Sequence, residues 1–431
     1  MRVAYLLIAL LIIGFTACDT RMNIKDPSKS YFLKYFGGDG NQRAVALITN
    51  ADGTLYILGN SRAADDSLQK IYLAKASTTG DVIWQRTFNE SVETEARGFI
   101  LTADQKLAVV ANRYPSAVTS FVSLYFFDAG SGAKTSGVAI PSPTNTYSNT
   151  IIQTQDQGFL ISGNTLGPDP QNPFKTDTLA WSFRMNNTLA TTWNVTYNPG
   201  NNFDDAVRSF ETSPGLFYIY GNSRVGYQGN LGQKYFGYSI NDPNGLPAGF
   251  VSDSLTVFTT YSAYDRMTDA FTANGLLLTG SSVDGGGNVF LKVLKMRRAD
   301  LAGTGNSDYE AQYSIRGPAT QSPSLGKIPN TSSATPYVTG CASGQAGYYF
   351  LANTFSTATN SDIVLLKTDI LLTLSAGFPI TFGGVGDDTA AAVAELPDGH
   401  IMVLGTFQLG NPVNQYKIVL MKLNAQGKLQ E

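Results

Sequence analysis

The stretch DGTLYILGN (52–60) decides the fold: an Asp-Gly turn, an apolar run, and a close on Gly-Asn. It returns as DQKLAVVAN (104–112), DQGFLISGN (156–164) and PGLFYIYGN (214–222), then as NGLLLTGS (274–281), AGYYFLAN (346–353) and DGHIMVLGT (398–406). The closing small residues are Gly59, Ala111, Gly163, Gly221, Gly280, Ala352 and Gly405, at intervals of 52, 52, 58, 59, 72 and 53 residues. A period of this size marks supersecondary units that bury a core only by packing on their neighbours.

A second signature keeps the same count. Large apolar residues stand four apart in FLKYF (32–36), WQRTF (84–88), WNVTY (193–197), VFTTY (257–261), YEAQY (309–313) and FPITF (378–382), and Ile140 takes the place left vacant 52 residues after Phe88. Positions two and four apart share one face of a strand. An inner run such as RAVALITN (43–50) precedes the turn, and a third apolar run such as IYLAKAS (71–77) or YKIVLMK (416–422) follows the second. Each unit therefore has four short strands punctuated by Gly, Asn, Asp and Pro. Seven such units predict an all-β, seven-bladed β-propeller over 31–431. Unit seven stops at Gly427–Glu431, where unit one opens its fourth strand with Gly80–Trp84. Tyr31–Phe36 is a fourth strand in excess, so the N-terminal strand is expected to complete the last blade and remove its free edge.

Composition narrows the function classes. Charged residues make up 15% of the chain and the net charge is -3, which provides no basic footprint for nucleic acid. A single histidine, His400, excludes a multi-histidine zinc centre; it follows a DG turn and reads as exposed. The N-terminus carries Arg2 and a 13-residue apolar run, Val3–Phe15, shorter than the ~20 residues of a membrane-spanning helix and suited to a secretory signal.

Two resemblances follow from these residues. Phe15-Thr16-Ala17-Cys18 resembles the lipobox of bacterial lipoproteins, with Phe15 in place of the usual Leu. It implies a signal peptide over 1–17, acylation of Cys18, and a lipidated polar tether over 18–30, anchored most readily in the outer membrane. Cys341 is then left without a disulfide partner. The units GGDGNQRAVALITNADGTLYILGNS (37–61) and GGVGDDTAAAVAELPDGHIMVLGT (383–406) resemble the glycine-rich β-propeller repeats of secreted and lipid-anchored bacterial proteins. That family has many roles, so the resemblance implies fold and location and no single activity.

In such a propeller the first strand of each unit is innermost, and the turns joining strands one to two and three to four are short. The longer connections, including 61–70, 112–120, 164–177, 222–234, 353–361 and 316–336, then share one face, which becomes the binding candidate. Arg62, Arg113 and Arg224 follow the Gly-Asn signature there, with Tyr114 and Tyr227 nearby. Such a rim suits a carboxylate or a sugar ring, although packing on neighbours accounts for the same pattern. Asp204, Asp205, Asp265, Asp387 and Asp388 precede inner strands. They supply oxygen ligands of the kind Ca²⁺ takes, yet no contiguous D-x-D-x-D loop occurs, and local turn closure fits better. No cofactor is expected. The reading is a monomeric, non-enzymatic envelope lipoprotein that binds a protein or glycan through its loop-rich face. An envelope scaffold for outer-membrane proteins and a histidine-independent glycan-active enzyme are the alternatives.

Overall fold

The computed structural model describes residues 31–430, apart from 66–67, 89, 144, 170–171, 199–203, 228–229, 243, 253–258, 264–274, 284–288, 298–306, 314–337, 345–346, 358–359, 370–372 and 411–414. The signal peptide, the tether with Cys18, Asp265 and the 316–336 insertion lie outside the described residues.

Among these residues 28 strands form seven four-stranded antiparallel sheets. Strand β1 (Phe32–Phe36) opens the chain. The first sheet is β2 (Asn41–Thr49), β3 (Leu55–Arg62), β4 (Lys70–Ala76) and β5 (Val82–Phe88). The second is β6 (Glu93–Leu101), β7 (Lys106–Ser116), β8 (Thr119–Asp128) and β9 (Lys134–Ala139), and the third is β10 (Thr146–Gln153), β11 (Phe159–Asp169), β12 (Asn172–Met185) and β13 (Thr191–Tyr197). The fourth is β14 (Asp204–Ser213), β15 (Leu216–Tyr227), β16 (Asn230–Asn241) and β17 (Leu246–Ser252). The fifth is β18 (Thr259–Ala263), β19 (Gly275–Val283), β20 (Val289–Arg297) and β21 (Ser307–Tyr313). The sixth is β22 (Val338–Gly344), β23 (Gly347–Thr357), β24 (Asn360–Asp369) and β25 (Ile380–Phe382). The seventh runs β26 (Thr389–Glu395), β27 (Ile401–Leu409), β28 (Gln415–Leu423), and then β1. The first strand pairs antiparallel with β28 in the register Phe32↔Lys422 to Phe36↔Ile418.

Apolar side chains lie between sheets, as repeat units that cannot bury a face alone require. Leu55, Ile57 and Tyr72 of the first sheet pack with Met402, Leu404, Ile418 and Leu420 of the seventh. Equivalent clusters join the first sheet to the second, the second to the third, the third to the fourth, and the sixth to the seventh.

The repeat signatures have a physical basis in these junctions. Asn60 donates to the Ala96 carbonyl at 3.1 Å and accepts from the Ala96 amide at 2.7 Å, closing the backbone where the inner strand of the next sheet bulges. Asn112 accepts from the Ser148 amide at 2.8 Å and Asn353 from the Ala390 amide at 2.7 Å, in each case one sheet onward. In the seventh unit Thr406 replaces the asparagine, and its hydroxyl accepts from the Ala44 amide at 2.9 Å. The preceding Gly59 is needed because a Cβ there would meet the Arg43 backbone carbonyl at 2.7 Å as well as the Ile418 side chain at 2.5 Å.

The second signature supplies the outer contact. A Cβ on Gly80, in the β4–β5 turn, would strike the Phe32 ring at 2.5 Å; on Gly132, Trp84 at 2.6 Å; on Gly245, Trp193 at 2.6 Å. The first aromatic of an outer strand thus seats on a positive-φ glycine of the next sheet's turn, a conformation in which glycine has no steric cost. Ser136 holds that aromatic position in β9, and the next turn carries Leu189 at φ 64 instead of glycine, its side chain packed on the joining cluster.

Two expectations are corrected. VFTTY (257–261) is not an outer strand: its described part belongs to β18, the first strand of the fifth sheet. The outer strand of the fourth sheet is β17, which returns on β16 after a short turn through Gly245; the nearer segment closes the smaller loop. The connections at 112–120, 164–177, 222–234 and 353–361 are not irregular loops. Second and third strands extend through them to the tight ends Ser116↔Thr119, Asp169↔Asn172, Tyr227↔Asn230 and Thr357↔Asn360. Pairing satisfies backbone groups that a long open connection leaves to solvent.

Candidate functional site

Register places the loop-rich face at the start of each inner strand and the end of each second strand, since Asn41 pairs with Arg62 and Glu93 with Tyr114. On this face, at the seam between the first and seventh sheets, lies a pocket of about 240 Å³ lined by Asn41, Arg43, Asn60, Arg62, Gln69 and Tyr416. Asn41 and Arg43 alternate along β2, and Asn60 and Arg62 along β3, so all four stand on one face of the pair. Arg62 Nη2 is 2.6 Å from Glu93 Oε1, in an exposed pair. The Arg43 guanidinium lies 4.0 Å over the Tyr416 ring and has no carboxylate partner among the described residues. Asn41 Oδ1 accepts from the Tyr416 amide at 3.0 Å, fixing the ring's strand against β2.

Beside the pocket Lys417 donates to the carbonyls of Gly38 and Gly40 and to Gln42 Oε1, at 2.5, 2.9 and 3.0 Å. Desolvation holds its ammonium below the ordinary lysine value. It is a stitch between β28 and the loop leaving β1.

The residues singled out from sequence do not converge. Arg62 lines the pocket; Arg113 and Tyr114 do not. They lie on β7, where the Tyr114 hydroxyl donates to Glu95 Oε2 at 2.7 Å and the ring stands 6.3 Å from that of Tyr147. Burial first, and then the Glu95 charge, push the Tyr114 hydroxyl well above its ordinary value, so it stays a neutral donor. Arg224 and Tyr227 lie on β15, and Asp204 and Asp205 on β14; these four side chains fall outside the described residues.

Asp388 is buried, with Oδ2 accepting from the Gly384 amide at 2.7 Å and Oδ1 from the Gln408 amide at 2.9 Å. Desolvation leads, with the Asp362 and Asp387 charges adding, and the carboxyl sits above its ordinary value despite those two bonds. Asp387 accepts from the Ser361 amide at 3.2 Å. Asp388 thus closes the turn at Gly384 and reaches β27, whereas Asp387 reaches across to β24 of the sixth sheet. Thr94 and Thr146 serve the same position by donating to Val92 and Pro143 carbonyls.

His400 is not simply exposed: Nδ1 lies 3.0 Å from Asp398 Oδ2, and the ring stands 5.3 Å from Tyr31, where the first strand begins. Arg184 was not legible as special. It is buried, its Nη2 reaches both oxygens of Asp156 at 2.7 and 2.6 Å, and it lies over the Phe217 ring of the next sheet. Lys75, Lys367 and Lys422 hold the equivalent third-strand position, where Lys75 and Lys367 lie over Tyr56 and Tyr349.

Arg43 and Tyr416 escaped sequence reasoning for different reasons. Arg43 stands where other units carry Glu95, Tyr147, Asp205 and Thr389, a variation visible only once the bulge register is known. Tyr416 becomes a neighbour of β2 only because the two ends of the chain meet.

Four-stranded repeat sheets packed face to face around successive inner strands define a β-propeller protein. No family model matches the chain, and no curated protein does. Solved structures similar to it include the β-propeller domain of the Trilobed protease from Pyrococcus furiosus, with 8% identity, 88% of this chain and 95% of that one covered, and a TM-score of 0.46. A protein of unknown function from Dyadobacter fermentans has 8% identity, coverage of 91% and 98%, and a TM-score of 0.47. The extracellular domains 1–2 of Drosophila Semaphorin 1a have 9% identity, coverage of 91% and 88%, and a TM-score of 0.48. Similarity at this level says nothing of ligand or activity.

Proposed function

We propose that the chain is a lipid-anchored bacterial cell-envelope protein whose seven blades close into a ring, and that it acts by binding, not catalysis, through its loop-rich face. Closure is supported by the junction of the seventh and first sheets, which repeats the devices used elsewhere: a shared apolar cluster, an acceptor on the inner-strand amide (Thr406 to Ala44), and an aromatic seated on a turn glycine (Phe32 on Gly80). Lys34 adds bonds to the Thr79 carbonyl at 2.8 Å and Asp81 at 2.6 Å.

One observation carries the functional reading. Strand β1 begins beside the short DG turn, with Tyr31 against His400, and ends beside the pocket, with Phe36 opposite Ile418. A tether over 18–30 attached at Tyr31 therefore leaves from the short-turn face and reaches at most about 45 Å when extended. Acylation at Cys18 would turn the arginine-bearing face away from the membrane, where a ligand has access. The test is mass analysis of the mature N-terminus, with fluorescent probes at Ala51 and Val118 on the protein in dye-labelled vesicles. A diacylated Cys18 and stronger energy transfer from Ala51 are expected. An unmodified N-terminus, or stronger transfer from Val118, overturns the reading.

A further inference from the structure

The geometry points to the seam pocket as a binding site for the carboxylate of a single sugar acid. This deepens the binding reading above and rests on it only for biological context, because the pocket can be tested on the isolated chain.

The lining sets side-chain donors beside a comparable share of apolar surface. Arg62 and Glu93 cancel each other's charge, so among the described lining residues the uncompensated charge is that of Arg43. A planar guanidinium prefers a carboxylate in bidentate geometry. Stacking on Tyr416 holds its plane in place, which lowers the ordering cost of binding. Asn60 has both amide atoms engaged by Ala96 and acts as a wall. Asn41 has its oxygen engaged by Tyr416, which leaves Nδ2 as a donor, and Gln69 adds a second side-chain amide at the rim.

Amide donors next to a guanidinium suit hydroxyls next to a carboxylate. Tyr416, the ring among the described lining residues, already carries the Arg43 guanidinium, so the free amide donors are what remain for the rest of the ligand. At about 240 Å³ the pocket is below the roughly 300–1,000 Å³ of sites for drug-sized ligands, a size for one sugar ring. Because Tyr416 belongs to the seventh sheet and the other residues to the first or its edge, an occupant bridges the two and stabilises the folded chain by linkage.

The probes are D-galacturonate, D-galactose and acetate, added to the full chain in detergent at low salt and followed by calorimetry and thermal melting. Galacturonate is expected to bind at least tenfold more tightly than either galactose or acetate and to raise the melting temperature. Arg43→Gln is expected to lose about tenfold in galacturonate affinity, and Gln69→Ala about threefold, while both unliganded variants melt with the parent. Equal binding of galactose, equal binding of acetate, or galacturonate affinity untouched in Arg43→Gln overturns the proposal. Failure of the anchoring reading has its own signature, an unmodified Cys18, and moves none of these measurements.

Discussion

At the scale of single residues, the repeat's conserved-looking polar positions are junction parts. Asn60 is buried and bonded twice to one residue of the next inner strand, so Asn60→Ala removes both the acceptor for the Ala96 amide and the donor to its carbonyl. The expected loss is about 1–3 kcal/mol, read from denaturant unfolding. Arg184→Met tests a different device from Asp156→Asn. Removing the buried guanidinium with its charge is tolerated, whereas Asp156→Asn strands it and should cost roughly 2 kcal/mol, less than for a fully buried pair because Asp156 is half exposed. The pH dependence follows from the same pair. Burial raises the Asp156 carboxyl, but hydrogen bonds from Thr154, Gly158 and Arg184 outweigh it and hold the group below its ordinary value. A carboxyl depressed in the folded state contributes stability above its unfolded value and loses it as pH falls through the folded one. The parent should therefore lose more melting temperature between neutral pH and pH 3 than Asp156→Asn does.

At the scale of elements, the decisive piece is β1. It is only five residues long, yet it covers the edge of β28, seats Phe32 on Gly80 and anchors Lys34 on Thr79 and Asp81. An uncovered β28 presents a row of unpaired backbone groups and an apolar flank, a template for aggregation. Removing residues 19–30 should leave melting nearly unchanged. Removing 31–36 as well should lower the melting temperature and produce aggregates detectable by light scattering. Gly80→Leu gives a subtler version, since it combines a positive φ with a clash against Phe32, and should cost about 1–3 kcal/mol.

At the scale of the whole molecule, the proposed ring closure requires the seventh–first junction to behave like the others. Thr406→Val removes only the acceptor for Ala44 and should destabilise by about 1 kcal/mol; an unchanged unfolding curve would place that junction outside the cooperative unit. Anchoring is tested separately. Cys18→Ala should release the chain from the membrane fraction or leave its signal peptide uncut, as read by fractionation and by the mass of the N-terminus.

Much of this fold was legible because its signals are local and repeated. A DG turn, an apolar run ending in a small residue, and an aromatic four residues from another each report one strand, and repetition turns weak signals into a count. The pairing of 32–36 with the strand at 416–423, observed at 418–422, was legible too, since a strand in excess and a strand lacking can be matched from the repeat count alone. Other features depended on register and on which segments meet. VFTTY resembles an outer strand in pattern, but its described part opens the next sheet, because pattern does not encode which of two segments closes the shorter loop. The long connections are hairpin arms, because backbone pairing continues wherever two strands already run side by side. Arg62 was picked out by its place after Gly-Asn, but its partners were not: Arg43 comes beside it through antiparallel register, and Tyr416 arrives from some 370 residues away only when the two ends of the chain share a seam.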